Sequence, residues 1–316
     1  NKQVRDKNIL VVGSSGFLGK NVVKKLKSRD HTSFIELKGK DDLDATNFQD
    51  LSLFLKNHSF NYVINCSAFV GGISFGYKFP ADLLSINTQI ANNLYRACLE
   101  SSVEFLVNPI SNCAYPESVT YYQEENFWSG PPHESVFNYA LSKRHMVALG
   151  ESYFNQHGFS SANVVLSNMY GPYDHFDESR SHALGALVKK ICDAKKNKLP
   201  EVELWGTGKP IREWLYVADG AEALISSLRL QNNSYFFNIG EGKGLSITEL
   251  AEKIASFAKW DGKFIYNENM PDGVMEKTVD GSKGSKILNW KPSVSLDEGI
   301  KKTVEWYIEN GIQERH

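Results

Sequence analysis

The stretch NILVVGSSGFLGKNVVKKLK, residues 8–27, joins a short apolar run, three glycines and an amphipathic segment in direct succession. The apolar run predicts a buried strand, and the segment after it has the three- and four-residue apolar spacing of a helix. Glycines between a strand and a helix let the backbone turn tightly and approach a pyrophosphate, which the helix N-terminus attracts. The pattern therefore predicts a dinucleotide site at Gly13, Gly16, Phe17, Leu18 and Gly19.

Strand-like and helix-like segments keep alternating through the first half of the chain. Further strands are predicted at 33–37, 61–68, 103–111 and 161–172, and a helix at 80–101. This alternation is typical of the α/β class, with a Rossmann doubly wound parallel sheet covered by helices on both faces. After residue 170 the pattern loosens: 202–217 indicates two strands around a Gly-Pro turn, and 297–310 indicates a helix.

A chain of 316 residues suits two domains, and neither a repeat nor a low-complexity linker separates them. We therefore expect a smaller C-terminal substrate domain that is interleaved with the first. The expected dinucleotide-binding domain comprises 1–170 plus about 215–240. The expected substrate domain comprises about 171–214 plus 241–316.

The composition excludes several classes of function. With 41% hydrophobic and 23% charged residues and a net charge of −2, nothing favours nucleic acid or an anionic membrane as the main partner. The apolar runs are far shorter than the roughly 20 residues that span a bilayer. The N-terminus shows no signal-peptide pattern, and the four cysteines form no CxxC pair, so we expect a cytoplasmic protein without a structural metal.

The motif Tyr139-Ala-Leu-Ser-Lys143 lies in a helix-like stretch, where four-residue spacing puts both end residues on one face. Ser111 ends the preceding predicted strand, at the edge where a doubly wound sheet binds ligands. A ketone that accepts hydride develops negative charge on its oxygen, which two hydroxyl donors stabilise. We therefore expect Tyr139 as general acid, Lys143 as the cation that lowers its pKa and anchors the ribose, and Ser111 as second donor.

The choice of cofactor depends on the residues that follow the second strand. An acidic residue there binds the ribose 2′-hydroxyl of NAD, whereas basic residues favour the 2′-phosphate of NADP. Lys38 and Lys40 follow the strand and Glu36 lies within it. We expect NADPH rather than NADH, with Asp44 in contact with the adenine.

Several short motifs resemble the extended short-chain dehydrogenase/reductases, and more closely the GDP-L-fucose synthase family. The likeness runs through nearly the whole chain, and these motifs carry it: Val70-Gly71-Gly72-Ile73, PADLLSIN around Asn87, SNCAYP (111–116), NYALSK (138–143), NMYGP (168–172), RSHALGAL around His182, WGTGKPIREWLYVAD around Arg212 and PDG (271–273).

The resemblance implies C3/C5 epimerisation of a GDP-4-keto-6-deoxy sugar, followed by reduction of its C4 ketone. In the family a cysteine two residues after the serine and a histidine in a later loop exchange the C3 and C5 protons, and they match Cys113 and His182. The resemblance also implies substrate-binding roles for Asn168, Lys190, Trp205, Arg212 and Lys277, and a homodimer.

Some positions depart from the family pattern and keep other interpretations open. Ser14-Ser15 replaces a basic pair, Asn112 a serine and Lys190 an arginine, while segments 121–137 and 173–182 differ markedly. The sugar is therefore open, with a heptose as one alternative, and so is reduction of C4 without epimerisation. A dehydratase is disfavoured because it would carry an Asp-Glu pair after its Thr or Ser. A dinucleotide sensor without chemistry would not need the Ser, Tyr and Lys.

Overall fold

The computed structural model describes residues 8–29, 33–70, 73–177 and 183–311. Its strands are β1 (Asn8–Val12), β2 (Ser33–Leu37), β3 (Tyr62–Asn65), β4 (Phe105–Ser111), β5 (Tyr121–Tyr122), β6 (Ser160–Leu166), β7 (Met169–Tyr170), β8 (Glu201–Trp205), β9 (Ile211–Arg212), β10 (Leu215–Tyr216), β11 (Ser234–Ile239), β12 (Leu245–Ser246), β13 (Lys263–Asn267) and β14 (Glu276–Val279). Its α-helices are α1 (Phe17–Lys27), α2 (Phe48–Asn57), α3 (Ile73–Lys78), α4 (Pro80–Leu99), α5 (Phe137–His157), α6 (Ala183–Lys196), α7 (Val217–Ser227), α8 (Ile247–Ala258), α9 (Ser282–Leu288) and α10 (Leu296–Asn310).

The central sheet has the strand order β11-β6-β4-β3-β1-β2, and every neighbouring pair is parallel. Its inner strands β1, β3, β4 and β6 are almost wholly buried, because helices cover both faces of the sheet. From β1 the chain adds β2 on one side and then returns to add β3 on the other. The carboxyl ends of β1 and β3 thus flank the switch point where such sheets bind ligands. The predicted α/β class and Rossmann sheet are confirmed.

Apolar side chains form a cluster on each face of this sheet and a third among the later elements. One cluster contains Leu106 of β4 with Tyr95 of α4, and another contains Val22 of α1 with Leu224 of α7. The third joins helices α6, α8 and α10, as at Ile254. No helix of the described ranges is long and apolar enough to cross a membrane.

Two predicted segments differ from the structure. The strand predicted at 161–172 is interrupted after β6, because β7 leaves the central sheet to pair with β10. Strands flank the turn predicted at 202–217, but there are three and not two, and none pairs with another of them: β8 pairs with β13, β9 with β12 and β14, and β10 with β7. The turn after β8 is instead bound to a distant loop, since the amide and hydroxyl of Thr207 donate to the Asp272 carboxylate at 2.7 and 2.8 Å.

A buried network of amides and hydroxyls crosses the middle of the central sheet. Asn108 of β4 accepts from Asn65 of β3 and donates to Asn163 of β6, both at 3.2 Å. The Tyr95 hydroxyl accepts from Asn108 at 3.2 Å and donates to Ser161 at 2.9 Å. These groups fix the lateral register of three parallel strands because each would lose its partner if a strand slipped.

Asn108→Ala is expected to lower the free energy of unfolding by about 1–3 kcal/mol, because it leaves buried polar partners unsatisfied. Urea denaturation followed by circular dichroism measures the change. Asn269→Ala, at an exposed loop position, is the matched control and should stay within about 0.5 kcal/mol of the parent. Equal stability of the two variants would show that the network contributes nothing.

Candidate active site

The loop after β1 has the close backbone approaches that a pyrophosphate cradle requires. Gly13 has φ +77°, and a side chain there would place its Cβ 2.6 Å from Ser67 Cα. A Cβ at Gly19 would lie 2.2 Å from the Gly13 carbonyl oxygen. Only glycine therefore fits at these two predicted cofactor positions.

Helix α1 begins at Phe17 and Leu18 with an uncapped N-terminus. Its N-cap residue Gly16 offers no side-chain hydrogen bond, and the first turn contains no acidic residue. The free N–H groups and the helix dipole thus favour an anion at this end. The loop and helix end together fit the pyrophosphate of a dinucleotide.

Charged residues of both signs lie within β2 and directly after it. Lys38 and Lys40 are exposed. Glu36 accepts a hydrogen bond from the Ser14 hydroxyl at 3.3 Å, so its carboxylate faces the glycine loop. The Asp44 carboxylate accepts hydrogen bonds from the amide and hydroxyl of Thr46 at 3.0 and 2.6 Å. These bonds hold the Asp44 side chain within the turn that contains both residues.

Ser111 and Cys113 lie at the carboxyl end of β4, where a single 3-10 turn (Asn112–Ala114) begins. The Ser111 hydroxyl caps this turn by accepting from the Cys113 amide at 3.3 Å. Ser111 is thus the last residue of the strand, and Cys113 lies within the turn that follows. The two groups are held in a fixed relation at the ligand-binding edge of the sheet.

Helix α5 carries Tyr139 and Lys143 and packs against this turn. The Lys143 ammonium lies 5.5 Å from the centroid of the Tyr139 ring, and Lys143 is only 4% exposed. The next residue, Arg144, donates from Nε to the Ala114 carbonyl at 2.8 Å. Arg144 therefore fastens the helix that bears Tyr139 to the turn that bears Cys113, a role that no sequence motif indicated.

Burial dominates the electrostatics of this cluster. It lowers the pKa of Lys143 to about 8, although Cys113 and Cys66 oppose the change. It raises the pKa of Cys113, while the Ser111 hydrogen bond, Lys277 and Lys143 oppose the rise. Burial and then Cys113 raise the pKa of Tyr139, so the expected lowering by Lys143 does not prevail in this arrangement.

Arg212 and Lys277 are direct partners in the parallel pair of β9 and β14. The pKa of Lys277 is lowered by burial and by Arg212, and Cys113 opposes this effect. This cationic pair therefore lies within electrostatic range of Cys113. Two paired cationic side chains are thus coupled to the turn at the end of β4.

The remaining predicted substrate residues lie on neighbouring elements. The Lys190 ammonium stands over the Trp205 ring, 5.2 Å from its centroid. Asn168 is half-buried between β6 and β7, and its carbonyl accepts from the Leu215 amide at 2.7 Å. His182 lies outside the described residues. Within the described ranges, no group of three or more His, Cys, Asp or Glu side chains could hold a metal.

Glu213, beside Arg212, is a buried acid that the sequence motifs did not single out. It is 3% exposed, and within the described part of the chain neither carboxylate oxygen has a partner of good hydrogen-bonding geometry. Burial raises its pKa to about 7, against the opposing effect of the Val279 amide and the Ser167 hydroxyl. It lines a small cavity of about 20 Å³ with Trp214.

The fold and the cluster at the carboxyl ends of its strands define a Rossmann-type dinucleotide-binding protein of the short-chain dehydrogenase/reductase class. The chain belongs to the NAD dependent epimerase/dehydratase family, whose model matches residues 9–240. It is 35% identical to the probable GDP-L-fucose synthase 1 of Oryza sativa subsp. japonica, over 96% of this chain and 93% of that protein.

Two solved structures extend the likeness to the tertiary level. A GDP-L-fucose synthetase from Naegleria fowleri bound to NADP is 27% identical with a TM-score of 0.89, covering 99% of this chain and 96% of that chain. A GDP-mannoheptose C4 reductase from Campylobacter jejuni with NADP bound is 26% identical with a TM-score of 0.86, covering 96% and 99%. The resemblance stated from the sequence is thereby confirmed.

Glu213→Gln is expected to stabilise the protein above pH 7 and to change little near pH 5. The folded carboxyl has a pKa of about 7 against an ordinary 4.5, so folding favours its protonated form. Stability is therefore lost as pH rises from about 4.5 to 7, by about 3 kcal/mol in total. Urea denaturation at pH 5 and pH 8 measures the difference, and an equal effect at both would contradict the assignment.

Proposed function

We propose that this protein is an NADPH-dependent reductase of the C4 ketone of a GDP-4-keto sugar that also epimerises C3 and C5 in the same site. The proposal rests on one observation. Ser111, Cys113, Tyr139 and Lys143 form a cluster that the Arg144 hydrogen bond holds together, near the cationic pair of Arg212 and Lys277. The cluster offers two hydroxyl donors and a proton-transferring thiol, and the pair suits a diphosphate. The relatives named as GDP-L-fucose synthases support the choice of sugar nucleotide.

In this proposal the C4 oxygen of the sugar lies between the hydroxyls of Ser111 and Tyr139. These donors stabilise negative charge on the oxygen, both in an enolate formed by loss of a C3 or C5 proton and in the alkoxide formed on reduction. Cys113 removes or returns the carbon-bound proton on one face, and His182 serves the other. NADPH supplies hydride to C4 when bound, and Tyr139 then protonates the oxygen.

NADPH is proposed over NADH because Lys38 and Lys40 are exposed directly after β2, while Glu36 is engaged by Ser14. The NADP-bound similar structures support the same choice. Gly13, Gly16, Phe17, Leu18 and Gly19 would hold the pyrophosphate, and Asp44 remains a proposed adenine contact. Asn168, Lys190, Trp205, Arg212 and Lys277 are the proposed substrate contacts.

We also propose a homodimer in the cytoplasm, and the two interleaved domains with the boundaries given above. The helices after Val70-Gly71-Gly72-Ile73 and around Tyr139 are the candidates for a four-helix dimer interface, and of these α4 and α5 pack together. The free thiols of Cys66, Cys98, Cys113 and Cys192 suit a reducing compartment.

Reduction of C4 without epimerisation is the second candidate function. Burial raises the pKa of Cys113, which disfavours the thiolate that would act as base. The similarity to a GDP-mannoheptose C4 reductase also supports it, with a heptose as the sugar. The two candidates differ in whether carbon-bound protons exchange with solvent.

Proton exchange in D₂O tests the proposal. With the wild-type protein and without NADPH, the sugar of GDP-4-keto-6-deoxy-mannose should incorporate deuterium at C3 and C5. Cys113→Ser should slow incorporation by at least about 100-fold, because it removes a general base or acid. NADPH oxidation without exchange would indicate a C4 reductase only. The absence of both exchange and NADPH oxidation would contradict the proposed function.

The pH profile of kcat/KM should fall as pH rises through about 8, because Lys143 loses its charge there. Below that pH the charged ammonium stabilises the deprotonated form of Tyr139 and the anionic oxygen. The Lys143→Arg variant keeps its positive charge throughout this pH range. The pH profile of the variant should therefore lack the fall above about pH 8, even if the variant reacts more slowly. A wild-type profile that stays flat to pH 9 would refute the role of Lys143.

A further inference from the structure

Tyr122 lies in strand β5, at the start of the 121–137 segment that departs from the family pattern. Its backbone is held on two sides. Tyr122 is the parallel partner of Val279 in β14, and its carbonyl accepts from the Asp280 amide at 2.8 Å and from the Asn238 side chain at 3.0 Å. The position of this residue is therefore set by the sheet that carries Arg212 and Lys277.

The ring of Tyr122 is held as firmly as its backbone. It stacks on the Tyr115 ring with centroids 4.6 Å apart and planes 12° from parallel. Tyr115 is itself fixed, because its hydroxyl donates to Asn238 at 2.6 Å. Tyr122 is only 4% exposed, so its phenol keeps a single orientation.

Strand register puts Tyr122 on the face of the small sheet that carries the cationic pair. Arg212 is the partner of Lys277, and Tyr122 is the partner of Val279, two residues further along β14. Side chains of paired residues share a face, and so do residues two apart on a strand. The side chains of Arg212, Lys277 and Tyr122 therefore project from one face.

The hydroxyl of Tyr122 is the free end of this rigid side chain. It makes no hydrogen bond to any residue that the structure describes, and its oxygen is not sealed from solvent. Burial, together with Cys113, raises the pKa of Tyr122 to about 12, and Arg212 opposes the rise. The phenol is thus a neutral donor at physiological pH, within electrostatic range of both Cys113 and Arg212.

We propose that the Tyr122 hydroxyl donates a hydrogen bond to a ring hydroxyl of the sugar and thereby selects the substrate. This inference rests on the proposed function, which puts the reacting carbons at Cys113 and the diphosphate at Arg212. The part of a sugar nucleotide between those two points is the sugar ring, with its hydroxyls. A preorganised donor that no described residue satisfies discriminates strongly in favour of a substrate that satisfies it.

Tyr122→Phe tests the proposal, with Tyr121→Phe as matched control. Both variants lose one phenolic oxygen from the same strand, but Tyr121 is 45% exposed and projects from the opposite face of the sheet. The readouts are KM and kcat for GDP-4-keto-6-deoxy-mannose, KM for NADPH, and calorimetric binding of GDP, which lacks the sugar.

Tyr122→Phe should raise KM for the keto sugar about fivefold, as expected for one lost hydrogen bond. Its KM for NADPH and its affinity for GDP should match the wild type, and Tyr121→Phe should match the wild type throughout. Unchanged KM for the sugar in Tyr122→Phe overturns the inference, as does weaker binding of GDP or a loss confined to kcat. A wild-type protein that turns over no keto sugar refutes the proposed function itself, and the inference with it.

Discussion

Parallel alignment of the six central strands is the constraint on which the rest of the molecule depends. When strands run the same way, their carboxyl ends meet at one edge, and each chain segment that leaves this edge starts from a fixed point. Gly13 leaves β1 there and Ser111 ends β4 there, two strands away. The buried amides of Asn65, Asn108 and Asn163 hold this register, because a shifted strand would leave polar groups without hydrogen bonds in an apolar interior.

The site is built by adding helices and a second small sheet to that edge. Arg144 joins α5 to the turn after β4, and β14 connects Lys277 both to Arg212 and to the strand of Tyr122. The arrangement concentrates ionisable groups in a poorly solvated region. Desolvation is the largest influence on the pKa of Lys143, Cys113 and Tyr139, and it favours the uncharged form of each. Proton-transfer groups of this kind respond strongly to any charge that a substrate brings.

We propose that sugar selection and phosphate binding are served by different parts of the small sheet. The cations Arg212 and Lys277 suit a diphosphate whatever sugar follows it. A neutral phenol such as Tyr122 can distinguish sugars, since a hydrogen bond depends on where a hydroxyl lies. Departure of the 121–137 segment from the family pattern is therefore consistent with a change of sugar that leaves the dinucleotide site unaltered.

Local patterns determined the sheet, the glycine loop and the serine, tyrosine and lysine motifs, because each depends on residues a few positions apart. The sequence by itself thus predicted the Rossmann fold and the candidate positions Ser111, Tyr139 and Lys143. Tertiary structure decided the separate paths of β8, β9 and β10, where the hydrogen bonds of Thr207 to Asp272 link loops 65 residues apart. It also decided the surroundings of Arg144, Glu213 and Tyr122, since burial and long-range partners depend on the whole fold and cannot be inferred from local spacing.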